Sequence, residues 1–158
     1  VEETDLMDGV KFIIAAAMIC VGVSTGSAEP VAPASVQIKD AAVMKSLTGT
    51  PGDPVAGRKY FANKKLGNCL ACHANKEMSK QLFHGEVGPP LDGAASRWNL
   101  EQLRAIVVNA KAVFGPDTVM PGFYSLDVGK NIRKDLIGKT ILSAEQVESI
   151  VAYLSTLK

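Results

Sequence analysis

The stretch GNCLACHANK, residues 67–76, places Cys69, Cys72 and His73 within five positions of a 158-residue chain that has only one other cysteine, Cys20. Three chemistries use an isolated C-x-x-C. A structural zinc site wants four nitrogen or sulfur ligands, and with His84 added the available set has the spacing of no familiar finger. A thioredoxin-like redox pair sits at a strand-to-helix junction, yet residues 60–65 are not a β-branched strand. The third, C-x-x-C-H, is the attachment signature of haem c.

That spacing has a mechanical reason. Residues i and i+3 share one face of a helical turn, so two thiols can meet two vinyl groups along one side of a porphyrin. The imidazole at i+4 is then carried beneath the ring. The sequence therefore predicts one covalent haem c on Cys69 and Cys72, with His73 as an axial iron ligand.

The segment KFIIAAAMICVGVSTGSAEP (residues 11–30) agrees with this chemistry, which is completed outside the cytoplasm. Lys11 precedes twelve apolar residues and a small-residue end at Ala28, the outline of a cleaved secretory signal. Twelve is short of the about 20 residues a membrane-spanning helix needs. Residues 1–28 are thus expected to be a signal peptide and the protein to be periplasmic, with no membrane anchor. The acidic VEETDL before Met7 does not suit a positive leader, which makes Met7 the better expected start. The whole chain carries 17 Lys and Arg against 16 Asp and Glu, net +1; removing 1–28 leaves 16 against 12, or +4. So small and dispersed a charge, with no basic-aromatic stripe, argues against nucleic acid as a partner.

A sixth ligand must come from the opposite side of the ring. Met44 lies in a polar arm, and Met78, five residues past His73, is expected on the same side as it. His84 is a rival, because bis-imidazole haems exist. Met120 lies in FGPDTVMPGFY (114–124), where Gly115, Pro116, Pro121 and Gly122 interrupt regular helix and Pro121 pushes its predecessor toward extended backbone. A methionine so placed is not ordinary core filling on a helix face, and Met120 is the expected ligand. A His/Met pair implies low-spin iron with a raised potential.

Support around the iron is legible too. GEVGPPLDG (85–93) contains a turn about sixteen residues after His73, and its Pro89 carbonyl is the candidate acceptor for the free imidazole N–H; the competing reading is a plain surface turn. Arg97 and Trp98 could hold a haem propionate, or could be a solvated Arg beside a half-buried Trp.

Regular structure is expected to be all helical. Asp53-Pro54 opens a helix over PVAGRKYFANK, in which Gly57 suggests close approach of another backbone. A second helix begins at Asn99, with the stripe Leu100, Leu103, Ile106, Val107, Ala110 and Phe114. The last opens on a capping box, Ser143 to Gln146, and buries Val147, Ile150, Val151, Leu154 and Leu157; that stripe is expected to be core and not a cofactor wall. Residues 115–141 have no periodicity, and a loop of about 27 residues in a compact domain is functional or disordered. Residues 29–52 look like a linker or docking arm preceding a domain at 53–158.

Over residues 53–158 the chain resembles a class I cytochrome c. More specifically, SLTGTPGDPVAGRKYF, GNCLACH, GEVGPPLDG, DTVMPGFY and EQVESIVAYLSTLK, in this order, resemble the SoxX family, the small monohaem subunits of SoxAX cytochromes in bacterial sulfur oxidation. The resemblance implies haem ligands at His73 and Met120, thioethers at Cys69 and Cys72, and a helix crossing at Gly57, Phe61 and Tyr153. It implies a heterodimer with SoxA, whose own haem site joins thiosulfate oxidatively to a cysteine of the SoxYZ carrier, and electron delivery to a soluble cytochrome c. The chain itself has no spare nucleophile, carboxylate pair or metal triad, so the thiosulfotransferase activity belongs to the complex. A free-standing diffusible carrier with the same haem is the alternative. A third reading, in which Met120 dissociates and the iron binds a small ligand, predicts ready carbon monoxide binding.

Overall fold

The computed structural model describes residues 29–127, 129 and 131–158; the expected signal peptide lies outside the described residues. Four α-helices carry the fold: α1 (Pro54–Ala62), α2 (Ala94–Arg97), α3 (Leu100–Phe114) and α4 (Ala144–Leu154). Among the described residues there is no strand, only an isolated bridge between Lys39 and Ala42. None of the described helices is long and apolar enough to cross a membrane.

Each long helix starts where its first residues satisfy the orphan N–H groups. Asp53 accepts from the Val55 N–H at 2.8 Å and Pro54 fills the first helical position. Asn99 with Gln102, and Ser143 with Gln146, form complete capping boxes at α3 and α4, closing two N–H groups per helix.

The helices α1 and α4 cross at Gly57. A Cβ there would lie 1.8 Å from the Ser149 carbonyl oxygen, so only glycine lets the backbones meet. One turn on, Phe61 and Tyr153 pack edge to face at 5.6 Å. The α4 residues Val147, Ile150, Val151 and Leu154, and Leu157 just beyond the helix, are all buried. The α3 stripe divides: Leu103, Val107 and Ala110 are buried, while Leu100 and Phe114 stand 40% and 52% exposed. Leu100 is the first residue of the helix, and Phe114 lies beyond Asn109, which leaves helical geometry (φ −158°, ψ 91°).

Residues 29–52 are packed onto the helices. Val43 and Leu47 are buried, the Val43 N–H donates to the Glu101 carbonyl at 3.0 Å, and the Val31 N–H to the Leu47 carbonyl at 2.7 Å. Beneath them lies an ion pair that periodicity did not reveal. Arg104 of α3 and Glu148 of α4 are 4% and 3% exposed and joined by two bonds of 2.7 and 3.1 Å. Arg104 also donates to the Val43 carbonyl, and Glu148 accepts the Leu47 N–H, both at 2.8 Å. The pair thus fastens the N-terminal segment to both helices, with each guanidinium nitrogen and each carboxylate oxygen hydrogen-bonded.

Candidate functional site: a haem-sized cavity between two loops

Between the helices opens an apolar cavity of about 680 Å³, within the about 300–1,000 Å³ typical of cofactor sites. Its walls include Phe61 of α1, Ile106 of α3, and Ile150 and Leu154 of α4. The α4 stripe is therefore core and cavity wall at once, which corrects the expectation of core alone: in so small a domain the inner face of a helix has to serve both.

Cys69, Cys72 and His73 all line this cavity. Cys69–Ala71 is a single 3₁₀ turn in which the Cys69 carbonyl accepts from the N–H groups of Cys72 (3.2 Å) and His73 (3.0 Å). Asn68, at φ +49°, leads into it from the left-handed region that asparagine tolerates. Leu70 turns into the core and is buried. Desolvation pushes the Cys69 thiol up to about 12, the Cys72 sulfur adding to the rise, so it stays a neutral thiol.

The loop that follows closes tightly on this turn. Gly85 N–H donates to the Leu70 carbonyl and Gly88 N–H to the Cys72 carbonyl, both at 2.8 Å. A Cβ on Gly85 would lie 1.9 Å from the Ala71 oxygen, and one on Gly88 2.3 Å from His73 Cε1. His73 Nδ1 donates to the Pro89 carbonyl at 2.8 Å, which leaves Nε2 as the nitrogen with a free lone pair. Arg97 donates to the carbonyls of Asp92 and Pro90, both at 2.8 Å, and so braces the turn that carries Pro89. Trp98 lines the cavity and packs edge to face on Phe114 at 5.8 Å.

Of the methionines, Met120 lines the cavity. Met44 is 73% exposed and Met78 is buried in the core; neither contributes to the wall. His84 is also outside it, with both nitrogens engaged: Nδ1 accepts from the Asn75 N–H at 3.4 Å and Nε2 donates to the Met78 carbonyl at 3.0 Å. The residue brought to the same cavity as His73 is thus Met120, from a separate loop.

A polar chain that starts two residues after His73, at Asn75, escaped sequence reading. Asn75, 1% exposed, donates to the Tyr153 hydroxyl at 2.8 Å; Tyr153 donates to Glu77 at 2.9 Å; Glu77 pairs with Arg58 at 2.7 Å. Burial and the Glu77 carboxylate push Tyr153 up to about 12. Its signal was present only as an aromatic on α4, without a partner to suggest.

The donor set suits a c-type haem: two thiols and an imidazole from one turn, a thioether from another loop, and apolar walls between. Comparison with known proteins agrees. The cytochrome c family model matches residues 54–158. A chain in the crystal structure of SoxXA from P. pantotrophus is 43% identical, with a TM-score of 0.75 over 82% of this chain and 98% of that one. The c-type cytochrome SorU from Sinorhizobium meliloti is 24% identical, with a TM-score of 0.43 over 65% of this chain and 87% of that one. Comparison with curated proteins gave no match.

Proposed function

This chain belongs to the cytochrome c family, and from that premise we propose that Cys69 and Cys72 attach one haem c covalently while His73 and Met120 bind its iron from two sides. It is a SoxX-type monohaem electron-transfer cytochrome with the all-α class I fold. The bound group supplies one-electron redox chemistry. The chain's residues set its terms: the Pro89 carbonyl holds the His73 N–H, and Gly88 leaves the imidazole no room to turn. A thioether as the second ligand raises the potential. Phe61, Ile150 and Leu154 keep water from the ring. Trp98 and the unused hydrogens of Arg97, at the cavity wall, suit a haem propionate.

The chain works, in this reading, as the small subunit of a periplasmic SoxAX heterodimer, reached through a cleaved signal at 1–28. The complex couples thiosulfate to a cysteine of SoxYZ, and electrons leave for a soluble cytochrome c. The relative that is 43% identical was solved as part of SoxXA. A further observation favours a subunit over a free carrier. Leu82 and Phe83 stand 72% and 74% exposed in the loop after His73 and outside the cavity lining, so the haem would leave them uncovered.

One observation carries the proposal: Cys69, Cys72, His73 and Met120 line one cavity. Purification from the native periplasm tests it. A larger haem protein of the SoxA type should accompany this chain in fixed ratio, whereas a strictly monomeric, fully active cytochrome would overturn the subunit assignment.

A further inference from the structure

We infer that Lys111 is a positioning residue for Met120, holding the loop that carries the sulfur against α3. The inference rests on the assignment of Met120 as iron ligand.

The loop is fastened to α3 at two places. At its far end, the break at Asn109 frees two helix carbonyls, and the N–H groups of Phe123 and Tyr124 donate to Val107 (3.2 Å) and Val108 (3.1 Å). Gly122 makes that approach close; a Cβ there would lie 2.9 Å from Ser125 Cβ and 3.2 Å from the Val108 oxygen. At its near end, the Lys111 ammonium donates to the carbonyl of Pro116 at 3.2 Å and to that of Thr118. Met120 sits between the two fastenings.

Backbone pairing cannot do this work alone. Pro116 and Pro121 have no N–H to give. Among the described residues, Val119 and Met120 make no backbone hydrogen bond, and the last one before them is the Thr118 N–H to Gly115. Two of the three Lys111 donors therefore supply the support on the near side of the sulfur.

The test uses the haem-loaded protein. Imidazole is titrated into the ferric form, and loss of the sulfur-to-iron charge-transfer band reports displacement of the thioether. Removing two exposed charge-assisted bonds should raise the apparent affinity for imidazole about three- to tenfold in Lys111→Ala. Lys111→Arg should restore it to within about twofold, because a guanidinium reaches the same carbonyls. Global unfolding in denaturant should not move with it. Unchanged imidazole affinity in Lys111→Ala overturns the inference, as does a change matched by an equal loss of global stability. A charge-transfer band that persists in Met120→Ala would instead remove the ligand assignment itself.

Discussion

The two loops that face the cavity are built differently. The loop with His73 is short-range and closed on itself: 3₁₀ turn, Gly85, Gly88 and Pro89 pair within about twenty residues, and each contact excludes a Cβ or fixes a ring nitrogen. The loop with Met120 is fastened from outside. Its supports are α3 carbonyls, the Lys111 ammonium, the Leu142 N–H on the Phe123 carbonyl, and the Tyr124 hydroxyl on the Val31 carbonyl at 2.7 Å. One ligand is thus held by covalent neighbours and packing, the other by a few separable bonds. Local opening should begin on the methionine side.

The same substitution on the two sides breaks that comparison most sharply. Gly88→Ala forces a methyl into the His73 ring, which cannot turn aside because Nδ1 is bound to Pro89. Most of that variant should purify without haem, measured as haem absorbance per protein. Second in size is the ion pair that fastens residues 29–52 to α3 and α4. Arg104→Met leaves Glu148 buried without its partner, and should cost about 3–5 kcal/mol in equilibrium unfolding. Next, Gly122→Ala meets Ser125 and one α3 carbonyl at distances that a small shift can relieve. It should cost about 1–3 kcal/mol and keep its haem, with the loss read as easier displacement of Met120.

The smallest effect concerns the Arg58–Glu77 pair. Arg58, and then the Tyr153 hydroxyl, hold the Glu77 carboxyl below its ordinary value. A depressed folded value gives stability that is complete above the unfolded carboxylate pKa and is lost as pH falls through the folded one. Arg58 and Glu77 are nearly half exposed, so solvent screens the pair to about 0.2–1 kcal/mol. Glu77→Gln should lower stability at neutral pH by that amount, leave it nearly unchanged below the folded carboxyl's pKa, and so flatten the acid side of the profile. A steeper acid loss in the variant would contradict this assignment.

The difference between the loops also explains how far the sequence could be read. Cys69, Cys72, His73 and Pro89 announce themselves because their chemistry is written within a few residues or one turn. Met120 stood out through the prolines and glycines that deny it a helix. Its fastenings did not: Asn109 sits inside an unbroken helical stripe, and the carbonyls it frees meet N–H groups sixteen residues away. Arg104 and Glu148 carry no local sequence signal, because each needs the other, 44 positions off, to be buried. Residues 29–52 read as an arm for the same reason, since Val43 and Leu47 find their partners only in the assembled fold.

The most direct test of the account is proton NMR of the reduced, haem-loaded protein with labelled methionine methyl groups. One methyl should be shifted far upfield by the ring current of the haem, and that signal should vanish in Met120→Ala but remain in Met44→Ala. A shifted methyl that survives the loss of Met120, or the absence of any shifted methyl in the parent protein, would contradict it.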